Sequence, residues 1–291
     1  MKLKAAAKIN LMLDILGRTD DGYHTLFMIM QSVGIYDEVT LELTGVENTI
    51  ALTCSNASLP CDESNIGWKA AARFFEVTGL NNPGISIHIE KRIPFAAGLA
   101  GGSADAAAVF VGLNELLNAG VSTRDLCLMS EKVGADVPFC IQGGTMLAMD
   151  IGGVLAPLPD VREDYYVLVK PHQDVSTKEA YGAFDKADYV RHLDTSGILR
   201  AMVKQDTELM YRKVGNVFEQ FIEVAERVSI KSVMRENNAI CHCMSGSGPT
   251  IYGAFEQEAD AAACEAQLKA AGFEEVFLCQ PKTCGVEIVE K

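Results

Sequence analysis

The sequence lacks an excess of basic residues. Its 25 lysines and arginines stand against 39 aspartates and glutamates, which gives a formal net charge of −14. A surface of that sign argues against non-specific binding to DNA or RNA, whose phosphates attract basic proteins. It does not argue against a phosphorylated small molecule, because local loops and helix N-termini bind anions whatever the overall charge. We therefore expect no nucleic-acid partner, and a phosphorylated small-molecule substrate stays open at this point.

Long apolar runs are also missing. No stretch approaches the roughly 20 apolar residues that a membrane-spanning helix needs. The N-terminal segment 1–18 is interrupted by Lys8, Asn10 and Asp14 and has no small-residue cleavage site after it, so we expect neither a signal peptide nor a membrane partner. The nine cysteines include no CxxC pair, which favours reduced thiols in a cytoplasmic protein over disulfides or a zinc site. The acidic surface sets no oligomeric state, and a monomer and a homodimer both remain open.

The pattern of elements predicts an α+β fold. Many adjacent predicted strands have no helix between them, which favours mixed or antiparallel sheets over a doubly wound nucleotide-binding sheet. A segment rich in proline and glycine, 152–164, predicts a boundary between two domains, 1–155 and 156–291. Apolar alternation predicts strands at 2–16, 85–90, 143–149 and 251–255, and two strands within 24–43 joined by a turn near 34–37. Helical spacing predicts helices at 66–77, 103–118, 176–187 and 258–272, and a mostly helical stretch at 205–238.

The strongest local signal is a glycine-rich segment that leads from a strand into an alanine-rich helix. Small residues let backbone N–H groups approach an anion, and the helix N-terminus adds about half a positive charge. The alternative is a tight turn whose glycines serve backbone geometry and whose Ser103 only caps the helix. The segment matches neither the Walker A pattern nor GxGxxG. Its residues are Pro94, Gly98, Leu99, Ala100, Gly101, Gly102 and Ser103.

Two charged residues lie in apolar surroundings. Asp136 is followed by Val-Pro-Phe, where an unpaired buried carboxylate would be costly, so it needs a cationic partner or a reacting proton. Lys8 is the natural partner, because it interrupts the apolar strand AAAKINLML. The alternatives are that Asp136 caps a turn before Pro138, and that Lys8 points to solvent from an edge strand.

Two further motifs are weaker on their own. The segment MSGSGPT, 244–250, lies between two predicted strands, and a hairpin loop explains its glycines as well as a ligand site does. The turn DGYH, 21–24, places an aromatic ring beside an imidazole, although a surface turn is the simpler interpretation.

Taken together, five segments resemble the GHMP kinases, and more narrowly the family of 4-diphosphocytidyl-2-C-methyl-D-erythritol kinases. They are AKINLMLDILGRTDDGYHTL, SNIGWKAA, KRIPFAAGLAGGSADAAA, GADVPF and MSGSGPT. The resemblance covers most of residues 5–150 and a patch at 244–250, but little of 182–238. It implies a two-domain fold with the active site in the cleft between the halves, and ATP-dependent phosphorylation of the 2-hydroxyl of the cytidine diphosphate-linked methylerythritol. That reaction belongs to the non-mevalonate route to isoprenoid precursors and uses ATP with Mg²⁺.

The resemblance also implies residue roles. Asp136 matches the base that accepts the hydroxyl proton, and Lys8 matches the lysine that keeps this carboxylate ionised. The glycine-rich segment would hold the ATP phosphates, with Asn65 and Lys91 on the adenine side and no metal ligand identified. The substrate would contact Asn10, Tyr23, His24 and Tyr181, and the loop residues Ser245, Gly246, Ser247 and Gly248 would support the phosphate loop.

Two positions depart from the family pattern. Residue 100 is alanine where the family often has glycine, which is tolerable if its φ stays negative. Residue 104 is alanine where the family often has serine, which leaves Ser103 as the polar contact. The remaining alternatives are another GHMP kinase, acting on mevalonate, homoserine or a sugar, and a non-catalytic protein that binds nucleotide and regulates a partner.

Overall fold

Two β-sheets organise the chain in the computed structural model, which describes residues 1–150 and 152–291. The strands are β1 (Lys2–Arg18), β2 (His24–Leu43), β3 (Ile50–Cys54), β4 (Ile85–Glu90), β5 (Thr145–Asp150), β6 (Val154–Pro157), β7 (Tyr165–Val169), β8 (Gly215–Asn216), β9 (Cys241–Met244), β10 (Ile251–Phe255), β11 (Val276–Cys279), β12 (Pro281–Lys282) and β13 (Val286–Glu290). The helices are α1 (Ile66–Thr78), α2 (Gly101–Leu116), α3 (Thr123–Ser130), α4 (Val137–Gln142), α5 (Thr177–Asp185), α6 (Thr195–Val203), α7 (Thr207–Lys213), α8 (Arg227–Glu236) and α9 (Glu258–Ala270), with a 3₁₀ helix at Val217–Gln220.

The larger sheet has the order β13-β1-β2-β4-β3, and β5, β6, β8 and β12 extend it from β1 and β2. Most of its pairs are antiparallel, but β3 pairs with β4, and β8 with β1, in parallel. The second sheet, β11-β7-β10-β9, is antiparallel throughout. The predicted α+β class with mixed and antiparallel sheets is confirmed.

The chain crosses between the two sheets more than once. After β11 it returns to the larger sheet, where β12 pairs with β2 and β13 pairs with β1. The division into 1–155 and 156–291 stays a prediction, and C-terminal strands cross it. No helix within the two described ranges combines the length and the hydropathy of a membrane span.

The predicted turn near 34–37 is wrong, since β2 runs unbroken from His24 to Leu43. Val33 pairs with Ala7 and Tyr36 with Ala6, so the two residues between them form a bulge. The glycine at this bulge, Gly34, donates its N–H to the Gln280 carbonyl at 2.9 Å. Gly34 lets the segment around Gln280 approach the strand closely, and this glycine was mistaken for the sign of a turn.

Helix α2 packs tightly onto the larger sheet and thereby fixes the glycine-rich segment before it. Its alanines 104, 106, 107 and 108 are all fully buried, and a Cβ on Gly112 would lie 2.5 Å from the Leu41 side chain. Small residues are therefore required by the close approach of helix and sheet. Because Ala104 faces this core, a serine hydroxyl there would be buried.

Two of the predicted helices begin at side-chain caps. Asn65 caps α1 by accepting the Gly67 N–H at 2.8 Å, and Ser176 forms a capping box with Glu179 at the start of α5. The stretch 205–238 is only helical in parts, because the short strand β8 and the 3₁₀ helix interrupt it.

Candidate functional site

A cavity of about 760 Å³ opens beside the glycine-rich segment. Its walls come from both halves of the sequence, including the start of α5 and the loop between β9 and β10. Most of the predicted site residues line it: Lys8, Asn65, Lys91, Pro94, Gly98, Leu99, Ala100, Gly101, Gly102, Ser103, Asp136, Tyr181, Gly246, Ser247 and Gly248. Among the described residues, Asn10, Tyr23, His24 and Ser245 were also predicted but do not line it.

Two glycine-bearing loops meet at Gly98. Its carbonyl oxygen accepts hydrogen bonds from Ser245 Oγ at 3.0 Å and from Lys8 Nζ at 3.2 Å. Gly98 has φ +74°, and a Cβ there would lie 2.2 Å from the Ser245 carbonyl oxygen. The hairpin interpretation of 244–250 is confirmed by the β9–β10 pairing, and the same hairpin loop lies against the cavity.

Ala100 has φ +57° and occupies the N-cap position of α2. The expectation of a negative φ is therefore wrong: the chain must turn into the helix at this residue, and alanine adopts the left-handed conformation at some cost. The helix begins at Gly101, so Ser103 lies in its first turn rather than at the cap. First-turn N–H groups have no partner within a helix, and those of α2 belong to residues that line the cavity.

Lys8 is buried in the middle of the larger sheet, with only 4% of its surface exposed. Its Nζ donates to Asn10 Oδ1 at 2.7 Å and to the Gly98 carbonyl at 3.2 Å. The Asp136 carboxylate lies 3.9 Å away. The solvent-facing alternative for Lys8 is wrong, since its strand has neighbours on both sides.

Asp136 stands at the N-cap position of α4, but its side chain makes no capping hydrogen bond. The predicted burial of this residue is wrong, because 32% of its side chain is exposed at the cavity wall. The ion pair with Lys8 was predicted from their apolar contexts and is present at the outer limit of contact distance.

Lys91 is almost as buried as Lys8 and has two acidic partners. Its Nζ contacts the Asp37 carboxylate and lies 2.7 Å from Asp105 Oδ2. Burial alone would lower the pKa of Lys91, but the two carboxylates outweigh it and raise that pKa. Asp37 also accepts the backbone N–H groups of Arg92 and Ile93 at 2.6 and 2.8 Å. The predicted adenine contact of Lys91 therefore belongs to an ammonium that is already ion-paired.

Two aromatic residues of the cavity lining, Tyr181 and Phe218, belong to an aromatic cluster that includes His24. The rings of His24 and Tyr181 lie 4.6 Å apart, and Tyr181 contacts Phe218 edge-on at 5.1 Å. His24 Nε2 lies 2.8 Å from Asp185 Oδ1, and the nearby Arg18 also contacts that carboxylate. Hydrogen bonds from Arg18 and His24 lower the pKa of Asp185. Tyr23, by contrast, is 62% exposed.

Comparison with known proteins identifies the family of this chain. Residues 65–144 match the model of the GHMP kinases N terminal domain, and residues 198–274 match that of the GHMP kinases C terminal. A 4-diphosphocytidyl-2-C-methyl-D-erythritol kinase of Clostridium tetani is 38% identical over 281 residues, which cover 96% of this chain and 99% of that protein. The chain belongs to the 4-diphosphocytidyl-2-C-methyl-D-erythritol kinase family.

Other members and solved structures agree with this. The kinase of the same name from Lachnospira eligens is 40% identical, over 94% of each chain. A crystal structure of 4-(cytidine 5'-diphospho)-2C-methyl-D-erythritol kinase superposes with a TM-score of 0.78 at 29% identity, covering 97% of this chain and 99% of that one. Homoserine kinase from Cytophaga hutchinsonii gives a TM-score of 0.81 at 21% identity, covering 99% and 97%, and shares the fold. The resemblance seen in the motifs is confirmed.

Several residues of this family member that shape the site were missed by the motif analysis. Asp105 carried a signal, since it is a lone acid within the alanine-rich start of a buried helix. Asp37 and Phe218 carried none, because their positions depend on the register of β2 and on an irregular segment. Asn216 was also missed, and its side chain holds the hairpin loop through Met244 and Gly246.

Proposed function

We propose that this kinase transfers the γ-phosphoryl group of ATP to the 2-hydroxyl of 4-diphosphocytidyl-2-C-methyl-D-erythritol. The family membership supports the reaction class and the substrate. The observation that carries the residue assignment is the meeting of Lys8, Asp136 and the glycine-rich segment at one cavity wall. The cytoplasm is the compartment that we expect for it, and monomer and homodimer both remain open.

The chemistry needs a proton acceptor and compensation of charge. The acceptor hydroxyl oxygen attacks the γ-phosphorus, the bond to the β-phosphate bridging oxygen breaks, and the hydroxyl proton passes to the Asp136 carboxylate. Lys8, 3.9 Å from that carboxylate, places a positive charge beside it and would offset charge on the transferred group. Because such transition states are loose, positioning and charge stabilisation contribute more than early proton removal.

The ATP phosphates would lie against the glycine-rich segment. The N-terminus of α2, with the backbone N–H groups of Gly101, Gly102 and Ser103, is suited to phosphate oxygens. Asn65 and Lys91 lie on the same cavity and are the proposed adenine-side residues. Both already have protein partners, so an adenine contact would use their backbone or require their side chains to exchange partners.

Magnesium would enter with ATP. The described residues, 1–150 and 152–291, hold no group of three or more histidine, cysteine or acidic side chains that could bind a metal ion. This fits Mg²⁺ in kinases, which retains waters and is bound by substrate phosphates with one or two carboxylates. Because Asp136 is assigned to the hydroxyl proton, the ion would be held by the ATP phosphate oxygens and water, where it would neutralise phosphate charge.

The cytidine end would use the aromatic cluster. The rings of Tyr181 and His24 are 4.6 Å apart and inclined by 32°, and Tyr23 is exposed beside His24 in the chain. Tyr181, which lines the cavity, would offer a ring face, and His24 a polar ring edge. Asn10 is proposed for the methylerythritol end, on the same strand face as Lys8. Its side-chain oxygen is already used by Lys8 and by the Gly246 N–H, so a substrate contact would fall to its amide nitrogen.

The second candidate is another GHMP small-molecule kinase. The high TM-score with a homoserine kinase favours keeping it, although at 21% identity that likeness concerns the fold. A non-catalytic regulator is a weaker candidate, because Lys8 and Asp136 are both present and in contact.

A coupled ADP-release assay with MgATP tests the proposal. The acceptors are the cytidine diphosphate methylerythritol, mevalonate, homoserine and galactose, each with the wild-type chain and with Asp136→Asn. We expect turnover with the first acceptor alone, and its near loss in the variant. Turnover with another acceptor would replace the substrate assignment, and silence with all four from a chain that binds ATP would favour the regulator.

A further inference from the structure

The segment formed by β8 and the following 3₁₀ helix is tied by two of its side chains to the hairpin between β9 and β10. Asn216, in β8, is 5% exposed and donates through Nδ2 to the carbonyls of Met244 at 2.8 Å and Gly246 at 2.7 Å. Its Oδ1 accepts the Phe218 N–H at 3.0 Å. Both amide hydrogens and the oxygen of this buried side chain are therefore in use.

Glu219, three residues later, binds the last residue of β9, where the hairpin loop begins. Its Oε1 accepts the Met244 N–H at 2.7 Å, and its two oxygens each lie 2.7 Å from Lys231 Nζ. We call Asn216 and Glu219 the loop brace. Together they hold the N–H and the carbonyl of Met244 and the carbonyl of Gly246.

The braced loop in turn contacts the groups around Lys8. The Gly246 N–H donates to Asn10 Oδ1 at 3.0 Å, and Lys8 Nζ donates to the same oxygen at 2.7 Å. The Nδ2 of Asn10 is buried and has no hydrogen-bond partner in the described chain. Asn10 is thus oriented through its oxygen, so a displaced Gly246 would release one of the two contacts that hold it.

We infer that Asn216 and Glu219 are positioning residues for phosphoryl transfer. They hold the backbone of the hairpin loop in place, and the Gly246 N–H of that loop orients the side chain of Asn10. Asn10 and the Gly98 carbonyl in turn hold the ammonium of Lys8 beside Asp136. The inference rests on the proposed function for the reaction concerned. It gives a role to a part of 182–238 in which the motifs indicated none.

The test measures kcat and KM for Asn216→Ala, with Gln220→Ala as the matched control. Gln220 also bridges two segments with its side-chain amide, by contacts with Arg191 of 2.9 and 3.0 Å, but it is exposed and does not touch the hairpin loop. We expect kcat to fall about 10–100-fold in Asn216→Ala, as for a misplacement near 1 Å, with both KM values within about 3-fold. The control should keep its kcat.

Glu219 gives a second, independent comparison. Glu219→Gln keeps an oxygen acceptor for the Met244 N–H but loses the ion pair with Lys231, whereas Glu219→Ala loses both. If the brace positions the loop, Gln should retain most of kcat and Ala should not. Equal losses in the two variants would assign Glu219 to the ion pair and overturn its positioning role. This comparison also decides the proposal if Asn216→Ala fails to fold.

Coupling to Lys8 is tested by combination with Asn10→Ala. If both act through the orientation of Lys8, the double variant should lose little more kcat than Asn10→Ala alone, since residues that act as a unit are non-additive. Multiplied losses in the double variant, or an Asn216→Ala kcat within 3-fold of wild type, would overturn the inference.

Amide hydrogen exchange separates this inference from the proposed function. Peptides covering 244–250 and 94–103 should exchange faster in folded Asn216→Ala than in Gln220→Ala, whichever acceptor the kinase uses. Unchanged exchange would overturn the brace even if the substrate is right. If the wild type turns over none of the acceptors but exchange in the variant is faster, the proposed reaction is overturned, while the role of Asn216 in holding the hairpin loop is retained.

Discussion

Two buried lysines lie beside the glycine-rich segment, and they differ in their partners. The side chains of Lys8 and Lys91 are 5% and 7% exposed. Lys91 contacts two carboxylates directly, while Lys8 donates to two neutral oxygens and has its carboxylate 3.9 Å away. Similar burial therefore does not mean similar compensation of the two charges.

The difference follows from the cost of a buried charge. An ammonium removed from water needs compensation, and the Asp37 carboxylate, with the Asp105 carboxyl group beside it, supplies it by direct contact for Lys91. For Lys8 the neutral oxygens compensate only in part, so its charge remains available to an incoming phosphate. We expect Lys91 to contribute to stability and Lys8 to contribute to the reaction.

The largest expected effect is the loss of activity in Lys8→Met. Methionine fills similar space without a charge, so kcat should fall about 10²–10³-fold, as for other lost electrostatic donors. The free energy of unfolding should stay the same or rise, because a partly compensated charge leaves the core. Coupled ADP release and urea unfolding measure the two quantities.

Lys4→Met is the matched control for Lys8, since it changes a lysine on the same strand that lies over the Tyr36 ring instead of the cavity. Its kcat should match that of the wild type. A folded Lys8→Met protein with normal turnover would contradict the catalytic side of the comparison.

Lys91→Met should have the opposite profile. It leaves the buried Asp37 carboxylate, beside the Asp105 carboxyl group, without its cation, and the free energy of unfolding should fall by about 3–5 kcal/mol. Lys2→Met breaks a partly exposed ion pair with Glu38, which keeps Arg92 as a second partner, and should cost only about 0–1 kcal/mol. If denaturant unfolding gave Lys91→Met a loss as small as that of Lys2→Met, the two lysines would not differ as argued.

The sequence predicted one of these lysines far better than the other. Lys8 and Asp136 were paired because each is a charge in an apolar segment, and the glycine-rich segment was found by its composition. The partners of Lys91 could not be predicted, since Asp37 lies 54 residues away, next to the bulge of β2 that was mistaken for a turn. Asn216 was missed for a similar reason, because its contacts depend on a two-residue strand.

The elements themselves were predicted where a local signal was strong. The capped helices α1 and α5, the alanine-rich helices α2 and α9, and the strands with clear alternation were found, whereas α6 was missed although Asp194 caps it. The start of α2 was placed two residues late, since Ser103 has the side chain of a cap while the chain actually turns at Ala100. No local pattern distinguishes those two possibilities; the approach of the hairpin loop to Gly98 decides between them.

The pH dependence of stability sharpens the account of Lys91. Burial raises the pKa of Asp105 well above its usual range, the Asp37 carboxylate adds to this, and Lys91 opposes it. Folded protein then keeps a proton that the unfolded chain releases near pH 4, so this group's contribution to stability is lost as the pH rises above that value.

Asp105→Asn should remove this contribution, because the amide does not titrate. The difference in unfolding free energy between wild type and variant should change by up to about 1.4 kcal/mol per pH unit within the window, measured by urea unfolding from about pH 5 to pH 8. Asp125→Asn, at an exposed helix start, is the control. A constant difference across that range would mean that Asp105 is ionised beside Lys91.

The smallest expected effect concerns the residue between the two lysines. Ala100 follows Leu99, whose carbonyl accepts the Lys8 backbone N–H at 3.1 Å, and precedes Gly101, where a Cβ would lie 3.3 Å from Lys91 Nζ. Alanine at φ +57° destabilises the fold by about 1–2 kcal/mol, which glycine would relieve. Glycine would itself destabilise the fold by about 0.5–1 kcal/mol, because it gives the unfolded chain more entropy. Ala100→Gly should thus raise the unfolding free energy by up to about 1 kcal/mol.

Ala72→Gly, inside helix α1, is the control for Ala100→Gly and should lower the unfolding free energy by about 1 kcal/mol. Opposite signs in thermal or urea unfolding would support strain at Ala100, and equal losses would contradict it. If Ala100→Gly lowers kcat while stabilising the fold, the strained alanine serves the reaction by holding the chain between Lys8 and Lys91 in one conformation. An unchanged kcat would mean that Leu99, Gly98 and the braced hairpin loop already hold this part of the chain in place.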